Sequence, residues 1–179
     1  RGPAAALLLE QAYSAPERVL YHRGTLDEAV LEATLGGQPA SVLDEPLPDE
    51  AGATLALALA GRHGGEGLGP GGALDVLPLL RWLHARGAGM EAVDEEGNAL
   101  LHMIDWSLGA GVAAPVLAWA LQEARVLHKD LRNHDGDTPA LLCAYSSPCG
   151  QDALRCLELL EAAGANLSLG NAKGMNTAM

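Results

Sequence analysis

Apolar residues along this chain come in short blocks, and polar turns bearing glycine separate them. Leu80 and Leu83 repeat at the same i, i+3 spacing as Leu157 and Leu160, which is one face of a helix. The spacing predicts helix pairs over 53–60 and 75–86, 98–106 and 114–124, and 138–146 and 151–163. Within each pair the first helix reads as short and largely buried, and the second as longer. A further helix is expected over Thr25 to Leu35, where Thr25 and Glu28 have capping-box spacing and Gly36-Gly37 stop the run.

The turns share a register. Asp49, Asp94, Asn133 and Asn171 each stand three residues before a glycine: Gly52, Gly97, Gly136 and Gly174. An Asp or Asn side chain closes such a turn by accepting a backbone N–H two residues on, and glycine supplies the positive φ that ends it. Thr54 and Thr138 then fall at helix N-caps, and Pro139 suits a first helical position. Gly87 and Gly164, each ten residues before the next turn glycine, are expected left-handed C-caps. The unit is therefore turn, short helix, loop, longer helix, glycine stop.

The stretch Asn133-His-Asp-Gly-Asp-Thr-Pro-Ala-Leu-Leu, followed by Leu160 to Gly164-Ala165-Asn166, resembles the ankyrin repeat. The resemblance covers residues 49–179 and implies an α-solenoid of stacked helix pairs. Residues 1–48 are then a divergent N-terminal capping repeat, and the last repeat is incomplete. His102 falls on the family's T-P-L-H histidine, which implies a structural hydrogen-bonding role. The glycines stand 45, 39 and 38 residues apart, against the family's period of about 33. The extra residues are assigned to loops between the helices of each unit, over 61–74, 107–114 and 146–152. In the second unit no glycine follows the longer helix, so the turn over Ala124 to Leu127 is expected to be irregular. Met179 falls inside the first helix of a further unit, which predicts a piece of a longer chain or a disordered end.

Composition agrees with an all-α fold, since Ala and Leu supply most of the apolar half and Phe is absent. The balance is acidic, 23 Asp and Glu against 11 Lys and Arg, a formal charge of −12. That sign opposes nucleic acid and anionic membrane surfaces. The apolar run Pro3 to Leu9 is too short to span a bilayer. Cys143, Cys149 and Cys156 form no C-x-x-C pair and read as free thiols of a reducing compartment, with a Cys143–Cys149 disulfide or soft-metal site as the alternative. Cytoplasmic placement is expected, or delivery into a target cell as part of a larger protein.

No paired acid and base, activated nucleophile or metal-ligand spacing is visible, and Gly64 to Gly72 lacks the preceding strand that a phosphate-binding loop needs. The chain is expected to be no enzyme, and to need neither cofactor nor metal. The resemblance implies a protein-binding module, regulatory or inhibitory, that uses turn tips as fingers and a concave surface of inner helices. The alternative is a recognition domain of a larger enzyme or effector whose chemistry lies elsewhere. With Asp49 and Asp94 assigned to turn closure, Glu45, Glu50, Glu95 and Glu96 are the acidic candidates for a partner with a basic patch. A solvated, solubilising surface is the competing reading. Asn98, His134, Asp135 and Asp137 are further finger candidates. Trp106 and Tyr145 follow the inner helices, where an aromatic anchor or simple burial are both open.

Overall fold

The computed structural model describes residues 13–22, 25–61, 75–108, 110–147 and 150–177. The Gly64 to Gly72 stretch and Cys149 lie outside them. The chain is all-α: the described residues form nine α-helices and a 3-10 turn, with no strand beyond one isolated backbone pairing of Val93 with Ala99. The helices are α1 (Ala15–Leu20), α2 (Glu28–Leu35), α3 (Ala40–Leu43), α4 (Leu55–Ala60), α5 (Val76–Ala85), α6 (Leu100–Met103), α7 (Ala110–Gln122), α8 (Pro139–Ser146) and α9 (Gly150–Ala162), with the 3-10 turn over Trp106–Leu108. They divide into two compact units, Arg1–Gly89 and Met90–Met179.

In the first unit α1 packs on α2 and α4, and α5 packs on α2 and α4. Helix α4 is buried along its whole length, as a run of Leu and Ala requires. Ser14 and Glu17 form a full capping box on α1. The expected box at Thr25 is not used: Asp27 is the N-cap of α2, and its carboxylate accepts the Val30 N–H at 3.0 Å. Asp is at least as good a cap as Thr. Arg86 fixes the end of α5. It stacks on Trp82 at 4.8 Å, donates to the Gly36 carbonyl at 3.1 Å and pairs with Glu32, whose carboxyl it holds below its usual range.

In the second unit α6 packs on α8, α7 on α9, and α8 on α9. The short helices α6 and α8 thus form one layer and the long helices α7 and α9 another. Helix α6 is shorter than the expected 98–106, because Ile104 turns to extended backbone and Trp106 starts a separate 3-10 turn. Helix α7 begins earlier than expected, at Ala110, so residues 110–114 are helical and Pro115 lies inside the helix. Likewise α8 runs through Ser146 and α9 starts at Gly150, so most of that insert is helix too.

The ends of the long helices recur. Gly87 and Gly164 take positive φ, 89° in both, and the following Ala88 and Ala165 donate to Leu83 and Leu160 carbonyls. After α7 the same place is filled by Arg125 at φ 55°, with Val126 bonding to the more distant Ala120 carbonyl. The irregular turn expected here is a non-glycine forced left-handed. Arg125→Gly is expected to raise stability by about 0.5–1 kcal/mol, because the relieved strain outweighs the added freedom of the unfolded chain. A denaturant midpoint no higher than the parent's would show the strain to be absent.

Candidate functional site

Three turns in the second unit are closed alike. Asp94 Oδ1 accepts the N–H groups of Glu96 at 2.9 Å and Asn98 at 2.7 Å. Asn133 Oδ1 does the same for Asp135 (3.2 Å) and Asp137 (2.9 Å), and Asn171 Oδ1 for Lys173 and Met175, both at 3.0 Å. With that oxygen occupied, each Asn can offer only its amide N–H outward. Asn133 Nδ2 donates to Asn98 Oδ1 at 3.0 Å, and Asn171 Nδ2 to Asp137 Oδ1 at 2.7 Å. The side chains therefore form rungs from one turn to the next. His134 N–H adds a backbone rung to the Glu96 carbonyl at 2.9 Å.

The turn in the first unit departs from this. Leu47 N–H pairs with the Ala53 carbonyl, and Ala51 and Gly52 are both left-handed at φ 50° and 71°. Asp49 is exposed and accepts no hydrogen bond among the described residues, so the turn-closing role expected for it fails. Thr54 precedes α4, but its hydroxyl makes no capping bond and is buried without a partner. Two successive left-handed residues lengthen this turn and move Asp49 out of reach of the backbone it would have closed.

His102 ties α6 to the turn that follows. Its Nδ1 accepts the Ala99 N–H at 3.1 Å, so the ring proton sits on Nε2, which faces the Leu131 and Asp137 carbonyls at 3.1 and 3.2 Å. Burial pushes its pKa down from 6.5, against the pull of the three backbone contacts. This is a neutral structural imidazole.

A second repeated contact carries carboxylates. Asp44 accepts the Gly89 N–H at 2.7 Å, Glu91 the Leu127 N–H at 2.8 Å, and Asp130 the Asn166 N–H at 2.7 Å. Each donor lies two residues beyond the left-handed residue that ends a long helix: Gly87, Arg125 or Gly164. Lys129 Nζ donates to the Ala163 carbonyl at 2.7 Å, a cation at the C-terminus of α9. Glu91 also lies 3.4 Å from His128. Asp44, Glu91 and Asp130 are thus parts of the scaffold.

The candidate residues divide accordingly. Glu45, Glu95, Glu96, His134 and Asp135 are exposed, and Glu50 is half-buried. Asn98 is half-buried and Asp137 is 7% exposed; both are rungs, which removes Asp137 from the accessible surface. Trp106 is 3% exposed, with its indole N–H buried and unpartnered, so the burial reading holds for it. Trp119 is buried as well. Tyr145 is different. The residue remains 52% exposed while its hydroxyl donates to Asp137 Oδ2 at 2.8 Å. Partial burial, then the carboxylate it donates to, push its pKa up, so the ring stays a neutral, tethered aromatic surface. Sequence reasoning missed the rungs, although an Asp or Asn four residues after the turn opener is their visible signal.

Chemistry is sparse. Among the described residues no three His, Cys, Asp or Glu side chains converge in a way that could hold a metal ion. A cleft of about 460 Å³ lies between α7 and α9, lined by Gly111, Ala114, Pro115 and Ala118 on one side and by Arg155, Glu158 and Leu159 on the other. Arg155 and Glu158 are its only titratable groups, and neither is a nucleophile. No helix among the described residues is long and apolar enough to cross a membrane. No protein-family model matches the chain, and no curated protein matches it either.

Proposed function

We propose that the chain is a divergent ankyrin-repeat module that binds a partner protein and catalyses nothing itself. The observation that supports this best is the repeated build of the second unit: three like turns joined by Asn98–Asn133 and Asp137–Asn171 rungs, the first two followed by the helix starts at Leu100 and Pro139. Hydrogen bonds absorb Asn98, Asp137 and the carboxylates of Asp44, Glu91 and Asp130 into that scaffold. What remains exposed in the second unit, Glu95, Glu96, His134, Asp135 and the ring of Tyr145, is its recognition surface, and in the first unit Glu45 is exposed. Tyr145 is the anchor. A rigid aromatic ring loses little entropy on docking, and its hydroxyl is already held by Asp137.

The acidic tips act on encounter rather than on the final grip. A partner with a basic patch is drawn in by them, and that attraction weakens as salt rises. With a partner captured by pull-down, Tyr145→Ala is expected to weaken binding at least tenfold while the melting temperature changes little. Changing Glu45, Glu95 and Glu96 to Gln is expected to slow association and flatten its salt dependence, again with the fold intact. Unchanged affinity and association rate in both variants would remove this surface from recognition.

A further inference from the structure

Two thiols in the second unit have no part in recognition. Cys143 lies on α8 and Cys156 on α9; they are 0% and 1% exposed, and both are free. Helices α8 and α9 pack directly on one another. Cys143 Sγ reaches the Ala153 carbonyl at 3.7 Å, one turn ahead of Cys156, and lies 3.9 Å from Ser147 Oγ. The Cys143 thiol is therefore set into the same turn of α9 that carries its counterpart.

We propose that Cys143 and Cys156 close a reversible disulfide between α8 and α9, with a hydroperoxide as the oxidant. Cys156 is the nucleophile. The neighbouring Cys143 thiol lowers its pKa against the cost of burial, while Cys143 itself is pushed up by Cys156 and by burial. The Cys156 thiolate attacks one peroxide oxygen, breaks the O–O bond and becomes a sulfenic acid, releasing hydroxide from hydrogen peroxide. Cys143 then gives up its proton and attacks the Cys156 sulfur, and the S–O bond breaks with loss of a second hydroxide. The two hydroxides take up the two thiol protons. Two thiols are oxidised, and one peroxide is reduced to two waters.

A peroxide suits a site closed to solvent, since it needs a smaller opening than a bulky disulfide reagent would. The cross-link ties the helix bearing Tyr145, two residues beyond Cys143, to the outer layer. It restricts the unfolded chain, so the oxidised form is the more stable one.

The test uses the full chain and its Cys149→Ser variant, treated with hydrogen peroxide while folded, then alkylated in denaturant and mapped by mass spectrometry. The expected result is a loss of two hydrogens in both proteins and one linked peptide pair, Cys143 with Cys156. The melting temperature should rise and return to its starting value with dithiothreitol. A Cys149→Ser protein that keeps both thiols open to alkylation, or that carries only sulfinic and sulfonic acids, overturns the proposal. So does a parent protein linked through Cys149. Cys156→Ala should abolish the mass change; if that variant fails to fold, the map of Cys149→Ser still decides.

Discussion

Replacing His102 with alanine is expected to lower the stability of the second unit by about 3–4 kcal/mol, among the larger single-residue effects. The imidazole is 6% exposed and serves three backbone groups: the Ala99 N–H and the Leu131 and Asp137 carbonyls. Alanine leaves the buried Ala99 N–H and the half-buried Leu131 carbonyl without that partner, while the Asp137 carbonyl keeps the Asn133 N–H at 3.0 Å; each unmet group costs about 1–3 kcal/mol. For a unit of this size the melting temperature should fall by more than about 12 °C. A variant melting within about 2 °C of the parent would show that water replaces the ring without loss.

The same site sets a pH dependence. Burial places the folded pKa of His102 below its ordinary 6.5. Above about pH 6.5 neither the folded nor the unfolded state carries the proton, and the full stability is present. As pH falls below that value the unfolded chain binds a proton that the native state refuses, so stability is lost until the pH passes the depressed native value. The parent's melting temperature should therefore drop from pH 7.5 to 5.5, and the dependence should be shallower in His102→Ala. Identical slopes would place the titration elsewhere.

Those two expectations rest on a residue whose structural role was implied by the ankyrin resemblance rather than by any local pattern. The helix-and-turn order was equally legible, because in three of the four turns the Asp or Asn three residues before glycine marks a local event, one side chain closing its own turn, while Asp49 does not. Local chemistry also misled. The expected helix begins at 114, next to Pro115, yet α7 begins at Ala110 and carries the proline inside. The run Leu100 to Trp106 reads as one helix, yet Ile104 breaks it. In both cases apolar residues on either side look alike, and tertiary packing decides where the helix ends.

The candidate site was legible only in part, for a related reason. Asp137 and Asn98 look like solvated finger residues until the amide of the next turn lands on them, 34 or 35 residues along the chain. The Asp44, Glu91 and Asp130 acceptors meet their N–H donors across 45, 36 and 36 residues. Spacing that long leaves no local periodicity. What sequence did carry was the offset within each turn, Asp94 to Asn98 and Asn133 to Asp137, a polar pair repeated at four residues. Tyr145 was legible as an aromatic at a helix end, but not its tether to Asp137.

The rungs make a second large effect separable from simple strain. Gly97, Gly136 and Gly174 occupy the same place in successive turns, at φ 82°, 80° and 78°. A side chain at any of them is forced into the left-handed region, at a cost of about 1–3 kcal/mol for a β-branched residue. Their surroundings differ. A Cβ at Gly136 would meet the Ala172 backbone nitrogen at 2.9 Å and the Ala172 Cβ at 3.3 Å, while at Gly174 nothing lies within 4 Å. Gly136→Val is therefore expected to cost about 3 kcal/mol or more, because the following turn must move and strain the 2.7 Å Asn171–Asp137 rung. Gly174→Val should cost only the strain. Chemical denaturation of both variants measures the difference directly. Equal losses would mean that the turns are closed independently and that the rungs contribute nothing. A larger loss at Gly136, with Gly97→Val between the two because its nearest atoms stand at 3.1 Å, would show the turns stacked as a continuous ladder.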